Sequence, residues 1–238
     1  STPISTVVFL QPNATINPAG PTTFCQGGSV TLNAVIASSY AWSTGANTQG
    51  VTVTQSGTYT VTVTNANGCT SASAPVTVTV LPNPAAFVVP AGPVTICEGS
   101  TATLIANAAS AYLWSNGQTT NPITVSPSSG TTYTVTATDA NGCTGTDVVS
   151  VTVNPLPTIT LSPDQTICNG QSATLTASGG TTYYWNPTGN TTGTITVNPT
   201  SSTTYAVSVT NANGCTANGF VNVIVRPLPV VNIPSTFV

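Results

Sequence analysis

The chain has 238 residues, of which only five are charged: four are acidic and one, Arg226, is basic, so the net charge is −3. An average soluble chain of this length carries about sixty charged residues. Because His and Lys are absent and acids are few, general acid–base catalysis, Schiff-base chemistry and imidazole metal sites are excluded, and one basic side chain gives no attraction to nucleic acid or an anionic membrane.

This composition predicts a protein that is not an enzyme and has no catalytic residues, no cofactor and no metal site. A calcium clamp is not expected either, since Asp139 and Asp147 are the only acids close together in sequence. Nucleic acid and membrane insertion are excluded as interactions, and no apolar run approaches the roughly eighteen residues of a membrane-spanning helix. Hydrophobic residues make up 39% of the chain, which is enough to build a core.

Internal repetition organises the sequence. One set of cysteines, spaced 72 and 71 residues apart, is Cys25, Cys97 and Cys168, and a second set is Cys69, Cys143 and Cys215. A Trp follows each first cysteine by 17 residues and a Tyr precedes each second cysteine by 10: Trp42, Trp114 and Trp185, and Tyr59, Tyr133 and Tyr205. The chain therefore consists of three copies of a module of about 71 residues.

We predict module 1 over residues 11–82, module 2 over 83–155 and module 3 over 156–227. Residues 1–10 resemble the closing strand of a preceding module and residues 228–238 the first strand of a following one, so the chain is interpreted as a window of a longer array. If the chain ends here, the end strands Ser5–Leu10 and Val230–Val238 are candidates for strand donation to neighbouring subunits. Pro-rich segments at 81–84, 154–157 and 226–229 predict short, stiff joints.

Within a module the hydrophobic period is two, which predicts an all-β fold. For module 2 we predict strands over Thr101–Ala106, Ala111–Ser115, Pro122–Ser126, Thr131–Asp139 and Val148–Val153. The Asn141-Gly142 pair between the last two predicts a hairpin, because both residues tolerate a positive φ. Six or seven such strands in about 71 residues predict a small antiparallel, immunoglobulin-like sandwich, repeated three times in a linear array.

Each copy contains C-x-G-x-x-(A/V)-T-L, then Y-x-W, then T-Y-x-V-x-(V/A)-T-(N/D)-A-N-G-C. This pattern resembles the tandem Ig-like, PKD-like repeats of large secreted adhesins and surface filament proteins of Bacteroidota-type bacteria. The resemblance covers essentially the whole chain. It implies an immunoglobulin-like sandwich, export to the cell surface and a stalk, adhesin or filament role, and it implies no particular ligand.

Six cysteines with no His and few carboxylates favour disulfides in an oxidising, extracellular location. Zinc is disfavoured because no pair has C-x-x-C spacing. Pairing within a module would close loops of about 45 residues, worth about 4 kcal/mol each. In an Ig-like topology, however, the two cysteines of a module lie about 20 Å apart, at opposite ends of the strands. The alternative joins Cys25 to Cys143 and Cys97 to Cys215 and leaves Cys69 and Cys168 for neighbours. Both pairings stay open, as do mixed or unpaired states.

The Trp and Tyr residues of the repeats are predicted to be core residues, because Trp on the third strand fills the centre of an Ig-type sandwich. Tyr184 occupies the position of Ala41 and Leu113 in the other copies and is the best candidate for surface contact. Alternating Thr is interpreted as the β-branched solvent face of the strands.

The prediction for function is a non-catalytic extracellular structural array, the disulfide-bonded shaft of a surface adhesin or the body of a filament. Its partners would be neighbouring copies of the same repeat or chain. The alternative is an adhesive array that contacts a surface polysaccharide or a host surface through exposed Tyr, Thr and Asn.

Overall fold

The structure, a computed structural model, describes residues 7–230. Its regular secondary structure within that range consists of β-strands, so the all-β prediction is confirmed. In the same part of the chain, no helix has the length and apolarity that crossing a membrane requires.

In the first repeat, nine strands are formed: β1 (Ile16–Pro18), β2 (Thr23–Cys25), β3 (Val30–Ala34), β4 (Ser39–Trp42), β5 (Gly50–Val53), β6 (Gly57–Tyr59), β7 (Val61–Thr64), β8 (Thr70–Ala72) and β9 (Val76–Leu81). One sheet has the order β1-β3-β5. The remaining strands form two further sheets, with the orders β2-β9-β6 and β4-β7-β8. Along the chain, β6 is followed directly by β7 and β8 by β9.

The second repeat has seven strands: β10 (Val88–Val89), β11 (Val94–Cys97), β12 (Ala102–Ala106), β13 (Ala111–Trp114), β14 (Ile123–Val125), β15 (Thr131–Thr138) and β16 (Thr144–Asn154). Its sheets have the orders β10-β12-β14 and β11-β16-β15-β13. All five strands predicted for this repeat are present, although the last begins at Thr144 rather than at Val148.

The third repeat has the same seven: β17 (Thr160–Leu161), β18 (Gln165–Cys168), β19 (Ala173–Ser178), β20 (Thr182–Asn186), β21 (Thr194–Val197), β22 (Thr203–Thr210) and β23 (Thr216–Arg226). Its sheets have the orders β17-β19-β21 and β18-β23-β22-β20. A three-stranded and a four-stranded sheet in this order form an immunoglobulin-like sandwich.

One strand pair in each repeat is parallel rather than antiparallel, which the hydrophobic pattern did not predict. The pairs are β2 with β9, β11 with β16, and β18 with β23. In the first repeat, β1 ends at Pro18 in one sheet and β2 begins at Thr23 in the other, so residues 19–22 carry the chain between sheets. Proline at 18 and 21 cannot donate to a ladder, which explains why the first strand breaks there.

Each sandwich is closed by alternating side chains. In β3 and β19 every second residue is buried. The first core consists of Val30, Leu32, Ala34, Trp42, Val53, Val61, Val63 and Val78, and the third of Ile167, Ala173, Leu175, Ala177, Trp185, Ile195, Val197, Tyr205, Val207, Val209, Val221 and Val223. The outward positions carry hydroxyls and amides, as in the 3.0 Å contact between the Thr31 and Thr52 hydroxyls.

By internal packing the chain divides into two compact units. Within the described range, one comprises residues 7–89, Ile105–Pro122 and Thr134–Val148, and the other Pro90–Leu104, Ile123–Tyr133 and residues 149–230. The second repeat contributes to both, so this division does not follow the predicted module boundaries, and those boundaries stay predictions. Residues 7–10 and 227–230 form no strand, and the remainder of the two predicted end strands lies outside the described residues.

Candidate functional site: the cysteine-bearing ends of the repeats

The first cysteine of each repeat ends the strand that runs parallel to the closing strand. Cys25 is opposite Leu81, Cys97 opposite Asn154 and Cys168 opposite Arg226. The chain then turns tightly, with the amide of Gly28 donating to the Cys25 carbonyl at 2.9 Å. Each first cysteine therefore lies beside the last residues of the closing strand, where the chain leaves the repeat.

The second cysteine follows the hairpin turn at the other end of the strands. In this turn, Asn65, Asp139 or Asn211 accepts at its side-chain oxygen from two backbone amides, those of the residues two and four positions later. Of the Asn-Gly pair, Gly142 has a positive φ, at 83°, and no non-glycine residue in the described range has one. The hairpin lies where the Asn-Gly pair predicted it, and the Asp139 side chain closes its turn while Asn141 keeps an ordinary conformation.

Two disulfides join successive repeats. Cys25 is bonded to Cys143 and Cys97 to Cys215, with Cα atoms 5.4 and 5.5 Å apart and a sequence separation of 118 residues in both. These are the between-module pairs, and the within-module alternative is wrong for these four residues. A strand length separates the two cysteines of one repeat, which is beyond the reach of a disulfide.

Among the described residues, two cysteines are free thiols, Cys69 and Cys168. Cys143 and Cys215 are buried, whereas Cys69 is partly buried and Cys168 is exposed. The second cysteines that form disulfides are therefore buried, whereas Cys69, the unbonded second cysteine of the first repeat, is only partly buried.

Side-chain amides connect the hairpin turns to the Pro-rich segments that precede their repeats. Asn211 donates to the Pro155 carbonyl at 2.9 Å, and Asn65 donates to the Leu10 carbonyl at 2.9 Å. In the second repeat this position is Asp139, whose carboxylate cannot donate. Sequence reasoning used this N/D-A-N-G-C segment only as a turn, yet its first residue also orders the joint.

Each predicted core Trp is buried and donates its indole N–H to a backbone carbonyl: Trp42 to Thr48, Trp114 to Thr120 and Trp185 to Thr192, at 2.8, 3.1 and 3.0 Å. Among the predicted core tyrosines, Tyr133 and Tyr205 are buried. Burial raises the pKa of the Tyr205 hydroxyl, which a hydrogen bond with Thr203 partly offsets. Tyr59 is only half-buried and donates to the Gln55 carbonyl at 2.9 Å.

Tyr184 lies on the outer face of β20 and is 54% exposed. It is in register with Ser208 of β22, which in turn is opposite Asn218 of β23. Phe220, 65% exposed, stands one row further along on the same outer face. Sequence reasoning missed Phe220, since the alternation of β23 alone does not distinguish a surface aromatic from a core one.

The described surface includes three shallow depressions that are lined mainly by hydroxyl, amide and aliphatic side chains. The first, of about 330 Å³, is lined by Gln26, Thr54, Gln55, Ser56, Val80, Leu81 and Pro82. Asp164 is the one ionisable side chain that lines any of the three. Two hydrogen bonds from Asn222, one from its side chain and one from its amide, lower the pKa of this carboxyl. Within residues 7–230 no three His, Cys, Asp or Glu side chains form a group suited to a metal ion.

No protein-family model and no curated protein matches the sequence. Solved structures do: an I-band fragment of titin covers 92% of this chain and 100% of its own at 11% identity and a TM-score of 0.43. Three N-terminal domains of the outer capsid protein Hoc of bacteriophage RB49 cover 90% and 99% at 15% identity and a TM-score of 0.33. A 1.5-MDa bacterial ice-binding adhesin covers 90% and 98% at 18% identity and a TM-score of 0.32. At these values the likeness concerns the all-β fold and carries nothing about function.

Proposed function

We propose that this chain is part of a non-catalytic extracellular structural array, the shaft of a surface adhesin or the body of a surface filament. The observation that carries the proposal is the pair of disulfides, each joining the first cysteine of one repeat to the second cysteine of the next. A disulfide that stabilises a single domain would lie inside one repeat. One that spans a joint restrains the joint itself, which is what a load-bearing array requires.

The surface chemistry fits this role. Polar groups are hydroxyls and amides that pair across strands, such as Ser208 with Asn218 and Thr204 with Asn222, both at 2.7 Å. With five charged side chains in the chain, neither salt nor moderate pH has much charge to act upon. Structural disulfides persist outside the reducing cytosol, which supports the extracellular assignment.

Limited digestion with proteinase K tests the proposal. In the variant Cys25→Ser/Cys143→Ser we expect cleavage just after the first Pro-rich segment, within residues 84–87, to accelerate by about tenfold or more, because the joint loses its restraint against local opening. Cleavage within residues 157–160, after the second Pro-rich segment, should be unchanged. The variant Cys97→Ser/Cys215→Ser should show the reverse, and Cys69→Ser/Cys168→Ser, the matched control, should resemble the parent.

Circular dichroism of the same variants distinguishes the loosening of a joint from the unfolding of a domain. Because each disulfide joins two repeats rather than the two sheets of one repeat, both variants should keep the parent β-sheet spectrum. If the variants unfold, the disulfides stabilise single domains rather than joints. If cleavage at the joints is unchanged, the disulfides do not restrain the joints, and the proposed structural role is contradicted.

A second candidate function is adhesion to a polysaccharide through the outer face of the third repeat. Tyr184 and Phe220 are exposed aromatic side chains on the same outer face, on the two strands that flank β22, with the polar residues Ser208 and Asn218 beside them, and an exposed aromatic ring with polar neighbours suits a sugar ring. The aliphatic side chains Leu113 and Val148 hold the equivalent positions in the second repeat. A polysaccharide array should bind the parent and the control Leu113→Ala/Val148→Ala equally and should lose Tyr184→Ala/Phe220→Ala; no binding by the parent would eliminate this candidate.

A further inference from the structure

The two free thiols occupy positions at which the other repeats have disulfide-bonded cysteines. Cys69 holds the place in the first repeat that Cys143 and Cys215 hold in theirs, and Cys168 holds the place of Cys25 and Cys97. Whether each thiol is ready for the same bond is a question of its local geometry.

Cys168 has the backbone setting of bonded Cys97. The amide of Asn169 donates to the Arg226 carbonyl at 2.9 Å, as the amide of Glu98 does to the Asn154 carbonyl at 2.9 Å. The Cys168 carbonyl accepts from Gln171 at 3.0 Å, as the Cys97 carbonyl does from Ser100 at 2.9 Å. The exit end of the third repeat is therefore built like that of the second, but its cysteine is exposed.

Cys69 has the setting of bonded Cys215. Its amide donates to the Asn65 side chain at 3.0 Å, as that of Cys215 does to Asn211 at 3.1 Å. The sulfur of Cys69 lies 3.9 Å from the Phe9 carbonyl, and the sulfur of Cys215 lies 3.9 Å from the Asn154 carbonyl.

An independent contact shows that the chain segment entering the first repeat is already seated. The Asn65 side chain donates to the Leu10 carbonyl at 2.9 Å, which matches the 2.9 Å bond from Asn211 to the Pro155 carbonyl beside the formed disulfide. The joint segment, the turn and the sulfur are all in the bonded arrangement.

We propose that Cys168 of one copy forms a disulfide with Cys69 of a second copy, so that chains join head to tail with the same bond that links repeats within a chain. This rests on the proposed function only in sharing the between-repeat disulfide. In a longer polypeptide, the chemically equivalent partner of each thiol is the cysteine of the adjoining repeat.

The oxidant is a small-molecule disulfide such as oxidised glutathione. One cysteine thiolate attacks it, forming a mixed disulfide and releasing one glutathione thiolate; the second cysteine thiolate then displaces the other glutathione. Two protein thiols are oxidised to one disulfide, and one glutathione disulfide is reduced to two glutathiones, which take up the two protons.

The test mixes equal amounts of two full-length variants, Cys69→Ser with ¹⁵N label and Cys168→Ser without, in a glutathione redox buffer. The first retains only Cys168 as a free thiol and the second only Cys69. We expect mixed dimers to exceed each homodimer by about tenfold, since only that pair has complementary ends. The parent chain should form a ladder on non-reducing gels, and peptide mapping should find Cys69 joined to Cys168.

Homodimers as abundant as mixed dimers, or monomers capped by glutathione, would overturn the head-to-tail bond. The same peptide map reads the pairs Cys25–Cys143 and Cys97–Cys215. If those are intact while Cys69–Cys168 is absent, this inference fails and the proposed function stands; if they are absent, the proposed function itself fails.

Discussion

The first and third repeats share a fold but differ in the hairpin that closes it. In the third repeat, β22 and β23 are continuous and pair over eight residues. In the first repeat, the same hairpin is divided into β6 and β7 on one side and β8 and β9 on the other. Cores that depend on this hairpin should therefore differ in stability.

An extra residue causes the division. In the first repeat Thr62 is opposite Ala72 and Tyr59 opposite Val76, so three residues on one strand face two on the other. The corresponding interval of the third repeat has two residues on each strand. The result is a β-bulge, and Pro75 within it has no N–H to give to the ladder. Ser73 closes the gap, its hydroxyl accepting from the amide of Val61 at 3.1 Å.

The first core is less complete than the third, and two of the positions concerned, Tyr59 and Val76, border the bulge. Four residues that are buried in the third repeat have counterparts in the first that are only partly buried: Ile167, Ile195, Tyr205 and Val221 correspond to Phe24, Val51, Tyr59 and Val76. Equal Cys-to-Trp and Tyr-to-Cys spacings therefore conceal unequal packing, because the inserted residue lies after the second cysteine, outside both of these intervals.

The largest expected difference between the first and third repeats is in their stability, and hence in the order in which they unfold. We expect the third repeat to be more stable than the first by about 2–4 kcal/mol, since each fully buried large apolar side chain contributes roughly 1.5–3 kcal/mol and four are only partly buried in the first. Urea titration with reductant, followed by fluorescence of variants that keep only Trp42 or only Trp185, measures both. Coincident transitions would show that the bulge has no energetic consequence.

Deleting Pro75 should convert the first hairpin into the form of the third. We expect stabilisation of the first repeat by about 1–2 kcal/mol, the value of roughly two recovered ladder hydrogen bonds. Thermal and urea unfolding monitored at Trp42 give the change. Pro75→Ala, which keeps the extra residue, is the matched control and should have a smaller effect; equal gains in both would assign the effect to proline rather than to register.

Asn211→Asp should make the contact between the hairpin turn and the preceding segment in the third repeat resemble that in the second repeat, where Asp139 holds this position. The aspartate still closes the turn through its carboxylate oxygen but no longer donates to the Pro155 carbonyl, so a loss of about 0.5–1.5 kcal/mol is expected in the stability reported by Trp185. Asn65→Asp should do the same at the first joint. If both substitutions are neutral, the amide contact does not order the joint.

The smallest effect is that of pH. Between about pH 5 and pH 9 the unfolding free energy should change by less than roughly 0.5 kcal/mol, because few groups titrate. The lowered pKa of Asp164 means that its contribution is present above the unfolded pKa and is lost as pH falls through the folded one. The raised pKa of Tyr205 means that its contribution is present below the unfolded pKa and is lost as pH rises through the folded one. Urea titrations across this range check the expectation, and a steep slope near neutrality would contradict it.

The sequence by itself determined the β fold and five of the seven strands of the second repeat, because side-chain alternation with period two decides which face is buried. Trp42, Trp114 and Trp185 are buried at the positions where the repeat pattern placed them. The sequence also reduced the regular cysteine pairings to two, one within modules and one between them.

Other features depend on which distant backbones meet, and only the tertiary structure decided them. The partners of Cys25 and Cys97 follow from the end of the strands at which each cysteine lies, and residues 118 positions apart have no signature in local pattern. The parallel strand pair requires the chain to cross between sheets at residues 19–22. The bulge at Pro75 becomes visible only through the register with the opposite strand, since a single inserted residue leaves composition and spacing almost unchanged.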